Sequence, residues 1–96
     1  MATIAINRTH TLDRDEARRR AESLARSMED RLGVRYRWEG DRIRFDAPAG
    51  AAKGATGLVT LTEAAVQIEV DLPLVLRALK GTVEARIQQK LDKLLV

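Results

Sequence analysis

Cysteine is absent from this sequence of 96 residues, and histidine occurs once, as His10. Without cysteine the chain can form no disulfide, no thiolate nucleophile and no thiolate metal site. A lone histidine also lacks the partners that a nucleophilic triad or a histidine-based metal site requires. The sequence therefore predicts a protein with no enzymatic activity, no metal and no cofactor, in which His10 is a structural or solvated residue beside a helix cap.

Aromatic residues and long apolar runs are scarce as well. Tyr36, Trp38 and Phe45 are the only aromatic side chains, so the core must consist mainly of Leu, Ile, Val and Ala. No segment has the ~18 apolar residues of a membrane helix, and the first eight residues lack the apolar stretch of a signal peptide. We therefore expect a cytoplasmic protein with no membrane span.

The residues that are present indicate one small globular domain, residues 1–96. Hydrophobic residues make up 45% of the chain and charged residues 32%, which is typical of folded rather than disordered proteins. A chain of this length buries roughly 60–65% of its unfolded surface, enough for one thin core. The net charge of +3 permits contact with an anionic partner but does not require one, because the two signs are interleaved.

The first third of the chain predicts a strand followed by a helix. Alternation places a strand over residues 3–7, with Ile4 and Ile6 on one face. A helix follows over residues 11–32, with Asp13 and Glu16 as a capping box, Thr11 as a competing cap and Gly33 as the terminating glycine. Its apolar stripe is rich in alanine. Its polar side has four oppositely charged pairs four residues apart, namely Glu16/Arg20, Arg18/Glu22, Glu22/Arg26 and Arg26/Asp30.

The middle of the chain predicts two hairpins. Residues 34–39 and 42–45 alternate on either side of the turn signal Gly40-Asp41, and residues 57–62 and 65–72 form a second pair of strands. A small, glycine-containing loop covers residues 47–54. Alternation gives each hairpin one apolar face, with Val34, Tyr36, Trp38, Ile43 and Phe45 in the first and Val59, Leu61, Val66, Ile68, Val70 and Leu72 in the second.

Pro73 is expected to open a final helix as a first-turn proline. An apolar stripe runs along it through Leu76, Leu79, Val83, Ile87, Leu91 and Leu94. Gly81 lies within this pattern and predicts a kink or a close approach to the sheet. The order β-α-β-β-β-β-α predicts an α+β fold, with an antiparallel sheet of about five strands and two helices on one face.

Two surface features are candidates for binding. The first is an outward face of four arginines, Arg35, Arg37, Arg42 and Arg44, which would suit phosphates or an acidic surface. The nearby acidic residues Glu69 and Asp71 favour an ordinary solvated face instead. Sheets that bind nucleic acid usually expose aromatic side chains, and Tyr36 and Trp38 point with the core, which argues against nucleic acid.

The second feature is the surplus apolar surface of Leu74 and Val75, which lie off the stripe of the last helix. It would suit a partner protein, a second copy of the chain forming a homodimer, or a hydrophobic interface. The alternative is an irregular first turn that packs against a loop.

Four segments of the sequence resemble the family of polyhydroxyalkanoic acid system proteins. They are Thr3-Ile4-Ala5-Ile6, His10-Thr11-Leu12 before an arginine-rich helix, Tyr36-Arg37-Trp38-Glu39-Gly40-Asp41, and Leu72-Pro73-Leu74-Val75-Leu76-Arg77-Ala78-Leu79-Lys80-Gly81. The resemblance spans nearly the whole chain, although the loop of residues 47–54 is longer and richer in alanine than expected. It implies a small cytoplasmic protein without an assigned catalytic activity, connected with bacterial polyester storage granules.

The resemblance and the surface residues together lead to three alternatives for the function. The first is a non-enzymatic accessory protein that associates with the granule surface or with granule proteins. The element order also resembles a shortened helix-grip fold, which implies a binding module for an apolar acyl ligand held between sheet and last helix by Tyr36, Trp38, Phe45, Val83 and Ile87. The third is an anion or nucleic-acid binder that uses the arginine face.

Overall fold

The structure is a computed structural model that describes residues 3–48 and 53–95. The elements follow one another as β1 (Ile4–Thr9), α1 (Arg14–Leu32), β2 (Arg35–Glu39), β3 (Arg42–Asp46), β4 (Thr56–Leu61), β5 (Ala65–Asp71), a 3₁₀ helix (Leu74–Leu79) and α2 (Lys80–Leu94). The predicted α+β class and the order of strands and helices are confirmed. Residues 49–52 of the predicted loop lie outside the described residues.

The five strands form one antiparallel sheet in the order β1-β5-β4-β3-β2. The register aligns side chains in rows across the strands, and one row of the inner face consists of Ile6, Ile68, Val59, Ile43 and Trp38. Because side chains alternate between the two faces, Leu58 lies on the outer face, opposite to its neighbour Val59.

Local signals explain where α1 and the first hairpin begin and end. Asp13 is the N-cap of α1, and its carboxylate accepts a hydrogen bond from the backbone N–H of Glu16. Gly33 ends the helix with φ +70°, a left-handed conformation that glycine adopts without a steric cost. Gly40 has φ +65° in the β2–β3 turn, as a two-residue hairpin turn requires.

Both helices pack on the inner face of the sheet and enclose the core there. Ala21 and Ala25 of α1 and Leu91 of α2 belong to the same buried cluster as the inner-face residues of the strands. Ala25 and Leu91 are 0% exposed. The alanine side of α1 contributes little bulk, which lets the helix lie close to the sheet.

The C-terminal segment differs from the single helix that the apolar spacing predicts. Residues 74–79 form a 3₁₀ helix with Pro73 as its N-cap, and α2 begins only at Lys80. The predicted stripe does not continue across this junction, because Leu79, which it places on the buried side, is 51% exposed. Gly81 lies in the first turn of α2, and no atom is within 4 Å of the position its Cβ would take. The predicted close approach at Gly81 is therefore wrong.

Candidate functional site

A carboxylate of α1 holds the two partly buried aromatic side chains of β2. The hydroxyl of Tyr36 donates to Glu22 Oε2 at 2.6 Å, and the indole N–H of Trp38 donates to Glu22 Oε1 at 3.2 Å. The bond from Tyr36 is the main cause that lowers the pKa of Glu22; partial burial opposes it and the bond from Trp38 adds to it. The same bond raises the pKa of Tyr36 above its usual 10.0. Both rings are thus held in place by one charged acceptor.

Next to this cluster, α1 also binds the turn between β2 and β3. Asp41 forms ion pairs with Arg14 and, at 3.2 Å, with Arg18. Arg18 donates to the carbonyl oxygen of Gly40 at 3.0 Å, and its guanidinium lies 4.2 Å from the centroid of the Trp38 ring. The distinctive Trp-Glu-Gly-Asp turn therefore acts as an attachment point between hairpin and helix.

The space between the helices and the sheet is almost filled. The internal void measures about 10 Å³ and is lined by residues of both helices and of β3, β4 and β5. That is room for no more than about one water molecule, whereas ligand pockets usually measure about 300–1,000 Å³. Of the residues predicted to line an acyl site, Phe45 lines this void. Tyr36, Trp38, Val83 and Ile87 are half-buried against the core.

The four predicted arginines share the outer face of the sheet, and all are exposed. Arg35 pairs with Asp46 at 3.2 Å, whereas Arg37 and Arg44 both pair with Glu39, at 3.0 and 3.1 Å. The hydrogen bond from Arg44 is the main cause that lowers the pKa of Glu39.

Arg42 alone among these four forms no ion pair with a described residue. Three of the four arginines therefore have a carboxylate partner, and the two carboxylates Asp46 and Glu39 offset half of the positive charge of the arginine face.

The outer face also forms a shallow, open trough of about 740 Å³. Arginines of β2 and β3 line one side, Glu69 and Asp71 of β5 line the other, and Leu58 of the central strand lies between them. The two walls carry opposite charge, so the trough lacks the uniformly positive field that an extended polyanion requires.

The most exposed large apolar side chains among the described residues lie in the 3₁₀ helix. Leu74 and Val75 are each 80% exposed, and Leu79 is 51% exposed. We call these three residues the apolar segment. Leu74 and Val75 were the predicted partner surface. Leu79 was missed because its spacing placed it in the core stripe, whereas it lies exposed at the end of the 3₁₀ helix.

His10 lies outside these surfaces and bridges two loops. Its Nδ1 accepts a hydrogen bond from the backbone N–H of Leu12 at 3.1 Å, and its Nε2 lies 3.1 Å from the carbonyl oxygen of Thr62. Because a carbonyl only accepts, Nε2 carries the proton in this arrangement. The imidazole thus ties the segment before α1 to the β4–β5 turn.

The roles of Glu22 and Arg18 could not be found from the sequence. The spacing predicts that they pair with each other on a solvated helix face. The structure instead directs Arg18 to the turn and Glu22 to the two aromatic rings, while Glu22 keeps Arg26 at 3.8 Å. Only the position of β2 beside α1 reveals these contacts, and no local signal encodes it.

Within residues 3–48 and 53–95, no group of three or more His, Asp or Glu side chains could hold a metal ion. None of the helices in that part of the chain combines the length and the apolar character needed to cross a membrane. No curated protein and no solved structure matches this chain. The model of the family "putative polyhydroxyalkanoic acid system protein" matches residues 4–95. The chain therefore belongs to this family.

Proposed function

We propose that this protein is a non-enzymatic accessory protein of the polyhydroxyalkanoate system, which associates with storage granules through the apolar segment. Family membership over residues 4–95 supplies the connection with this polymer. The observation that carries the proposal is the 80% exposure of both Leu74 and Val75. Full burial of a Leu or Val side chain is worth about 1.5–3 kcal/mol, so contact with an apolar polyester surface would bury side chains that the fold leaves in water.

The packing of the interior supports an accessory role rather than catalysis. A void of about 10 Å³ cannot enclose a substrate. The carboxylates with lowered pKa, Glu22 and Glu39, are held by hydrogen-bond donors. Because such carboxylates stay ionised near neutral pH, they are poor candidates for a general acid.

The first test is binding of the full chain to polyester particles free of other proteins. We expect the chain to sediment with the particles, and the Leu74→Ser/Val75→Ser variant to bind at least about tenfold more weakly. A matched control is Ala5→Ser/Ala64→Ser, which replaces two exposed apolar side chains outside the apolar segment. Granules isolated from a polyester-producing cell should likewise contain the protein. Recovery of all the protein in the soluble fraction would contradict the proposal.

The acyl-ligand alternative remains a prediction that the Trp38 fluorescence can test. An acyl chain could enter between sheet and α2 only if α2 moved outward, because the present void is too small. Entry of the ligand would change the surroundings of the indole, which lies between Glu22 and Arg18. A Trp38 emission spectrum that is unchanged at millimolar concentrations of acyl ligand rejects this alternative.

The arginine-face alternative likewise remains a prediction. If the arginine face binds an anion, the affinity should decrease steeply with salt concentration. Binding should also be lost in the variant Arg35→Ser/Arg37→Ser/Arg42→Ser/Arg44→Ser. Since three of the four side chains already have carboxylate partners, we favour the granule proposal.

A further inference from the structure

Basic side chains are paired very differently in the two ends of the chain. Nine of the eleven arginines between Arg8 and Arg44 form an ion pair with a carboxylate. None of the five basic residues of the 3₁₀ helix and α2 forms one with a described residue. These five are Arg77, Lys80, Arg86, Lys90 and Lys93. The C-terminal segment therefore carries positive charge that nothing within the described structure neutralises.

The net charge of the protein has the same distribution. Residues 1–73 contain twelve basic and twelve acidic residues, whereas residues 74–96 contain five basic and two acidic residues. The whole net charge of +3 thus belongs to the C-terminal segment. Of its two acidic residues, Asp92 is already engaged by Arg8 of β1 at 2.6 Å.

The fold separates these charges on the surface of α2. Arg8 donates to both Gln88 and Asp92, so this flank of α2 faces β1. Leu91 points into the core. With 3.6 residues per turn, Arg86, Lys90 and Lys93 fall within about 60° of one another on the opposite flank. Lys80 and Arg77 lie outside this basic stripe, and both are exposed, Lys80 at the start of α2 and Arg77 within the 3₁₀ helix.

We propose that the 3₁₀ helix and α2 together form a docking surface for a layer of anionic amphiphiles. Leu74 and Val75, the two most exposed side chains of the apolar segment, would insert among the apolar chains of the layer, and the basic stripe of α2 would contact its acidic head groups. The proposal deepens the granule proposal, since both use the apolar segment, and it states the chemistry of the surface that is bound.

The shape of the segment favours an amphiphile layer over an acidic protein. The apolar side chains project from a single short 3₁₀ helix of six residues, and a protein partner would need a pocket shaped to receive them. A fluid layer accommodates an irregular projection without such a pocket. Reversible binding at membrane surfaces usually combines buried apolar area with attraction to anionic head groups, and this segment offers both.

Binding of the full chain to lipid vesicles tests the proposal. Vesicles of phosphatidylcholine with added phosphatidylglycerol should bind the protein at least about tenfold more strongly than pure phosphatidylcholine vesicles, at about 0.05 M salt. Raising the salt to about 0.5 M should remove most of this difference. Equal binding to both kinds of vesicle, or binding to neither, overturns the proposal.

Two triple variants with the same loss of charge locate the surface. Lys80→Gln/Arg86→Gln/Lys93→Gln removes three exposed charges that have no ion-pair partner among the described residues, and it should weaken binding at least about tenfold. The matched control Arg35→Gln/Arg37→Gln/Arg44→Gln removes three exposed charges that are paired on the sheet, and its binding should change by less than about threefold. Unchanged Trp38 emission checks that both variants are folded. Equal weakening in the two variants means that net charge alone decides binding, which overturns the proposal.

Two further binding measurements distinguish this proposal from binding to an acidic protein and from the granule proposal. Soluble polyglutamate offers the charge without an apolar layer, so binding to polyglutamate as tight as to anionic vesicles overturns the proposal. Bare polyester particles offer the apolar surface without head groups. Binding to these particles but not to anionic vesicles contradicts only the present inference. Binding to anionic vesicles but not to polyester particles contradicts only the granule proposal.

Discussion

The arginine-rich part of the molecule, α1 with the β2–β3 hairpin, contrasts with the C-terminal segment of the 3₁₀ helix and α2. In the first part, charged side chains bind other parts of the same chain. Arg18 forms an ion pair with Asp41 of the turn, and Glu22 accepts hydrogen bonds from Tyr36 and Trp38. In the second, basic side chains lack carboxylate partners among the described residues, and Leu74 and Val75 face water. Charged side chains that form ion pairs within the fold stabilise it weakly. Charged and apolar side chains that lack such contacts remain available to bind a partner.

The largest expected effect is on the free energy of unfolding, and it distinguishes two leucines of the C-terminal segment. Leu91 is 0% exposed and Leu74 is 80% exposed. We expect Leu91→Ala to reduce the free energy of unfolding by about 3 kcal/mol, through lost burial and the cavity left behind. Leu74→Ala should change it by less than about 0.5 kcal/mol. Urea unfolding followed by Trp38 fluorescence measures both. An equally large loss for Leu74→Ala would mean that this side chain is covered and that the contrast is wrong.

A smaller effect is expected at the carboxylate that holds the aromatic rings. Glu22→Gln should reduce the free energy of unfolding by about 0.5–1 kcal/mol, because a neutral amide accepts hydrogen bonds more weakly and water screens the half-buried group.

The pH dependence follows from the two pKa shifts. The pKa of Glu22 is lowered, so its contribution is present above the unfolded pKa and is lost as the pH falls through the folded value. The pKa of Tyr36 is raised, so the contribution of the neutral phenol is lost as the pH rises through its folded value.

Tyr36 is the only tyrosine, which makes its ionisation directly visible in the ultraviolet spectrum. Its midpoint should lie above 10.0 in the parent protein and move back toward 10.0 in Glu22→Gln. An unchanged midpoint in the variant would show that Glu22 does not hold the phenol in solution.

The smallest effect is expected at the turn. Asp41→Asn weakens the ion pairs with Arg14 and Arg18, and each of the three side chains keeps at least 38% of its surface in contact with water. Exposed ion pairs contribute about 0–1 kcal/mol, so we expect a loss of at most about 0.5 kcal/mol by thermal or urea unfolding, and a smaller one at high salt. Asp30→Asn is the control, because it removes a carboxylate of α1 that has no ion-pair partner among the described residues. A loss of stability above that of Glu22→Gln would place the main attachment of the hairpin at the turn.

Most secondary structure could be predicted because its signals are local. The Asp13 cap, the Gly33 terminus and the Gly40 turn each act within a few residues, and all three occur where the spacing predicts them. The strand alternation predicts which side of each strand is buried, and Val59, Ile43 and Ile68 are indeed buried. Boundaries differ by a few residues, as for β1, which extends to Thr9.

Prediction failed where two elements had to be placed relative to each other. Apolar spacing suggests one continuous final helix, because a period of about 3.6 residues fits Leu76 to Leu94. It does not reveal that residues 74–79 adopt 3₁₀ geometry and expose Leu79. Likewise, i to i+4 spacing predicts an ion pair between Arg18 and Glu22, whereas β2 and its turn supply better partners to both.

By itself, the sequence determined the α+β class, the order of the elements, the inward face of each strand and the membership of a family, because these depend on spacing, caps and similarity along the chain. Only the tertiary structure decided which charges are neutralised and which apolar side chains remain in water. Those outcomes depend on distances between residues far apart in sequence, such as Arg8 and Asp92, and no local pattern contains that information.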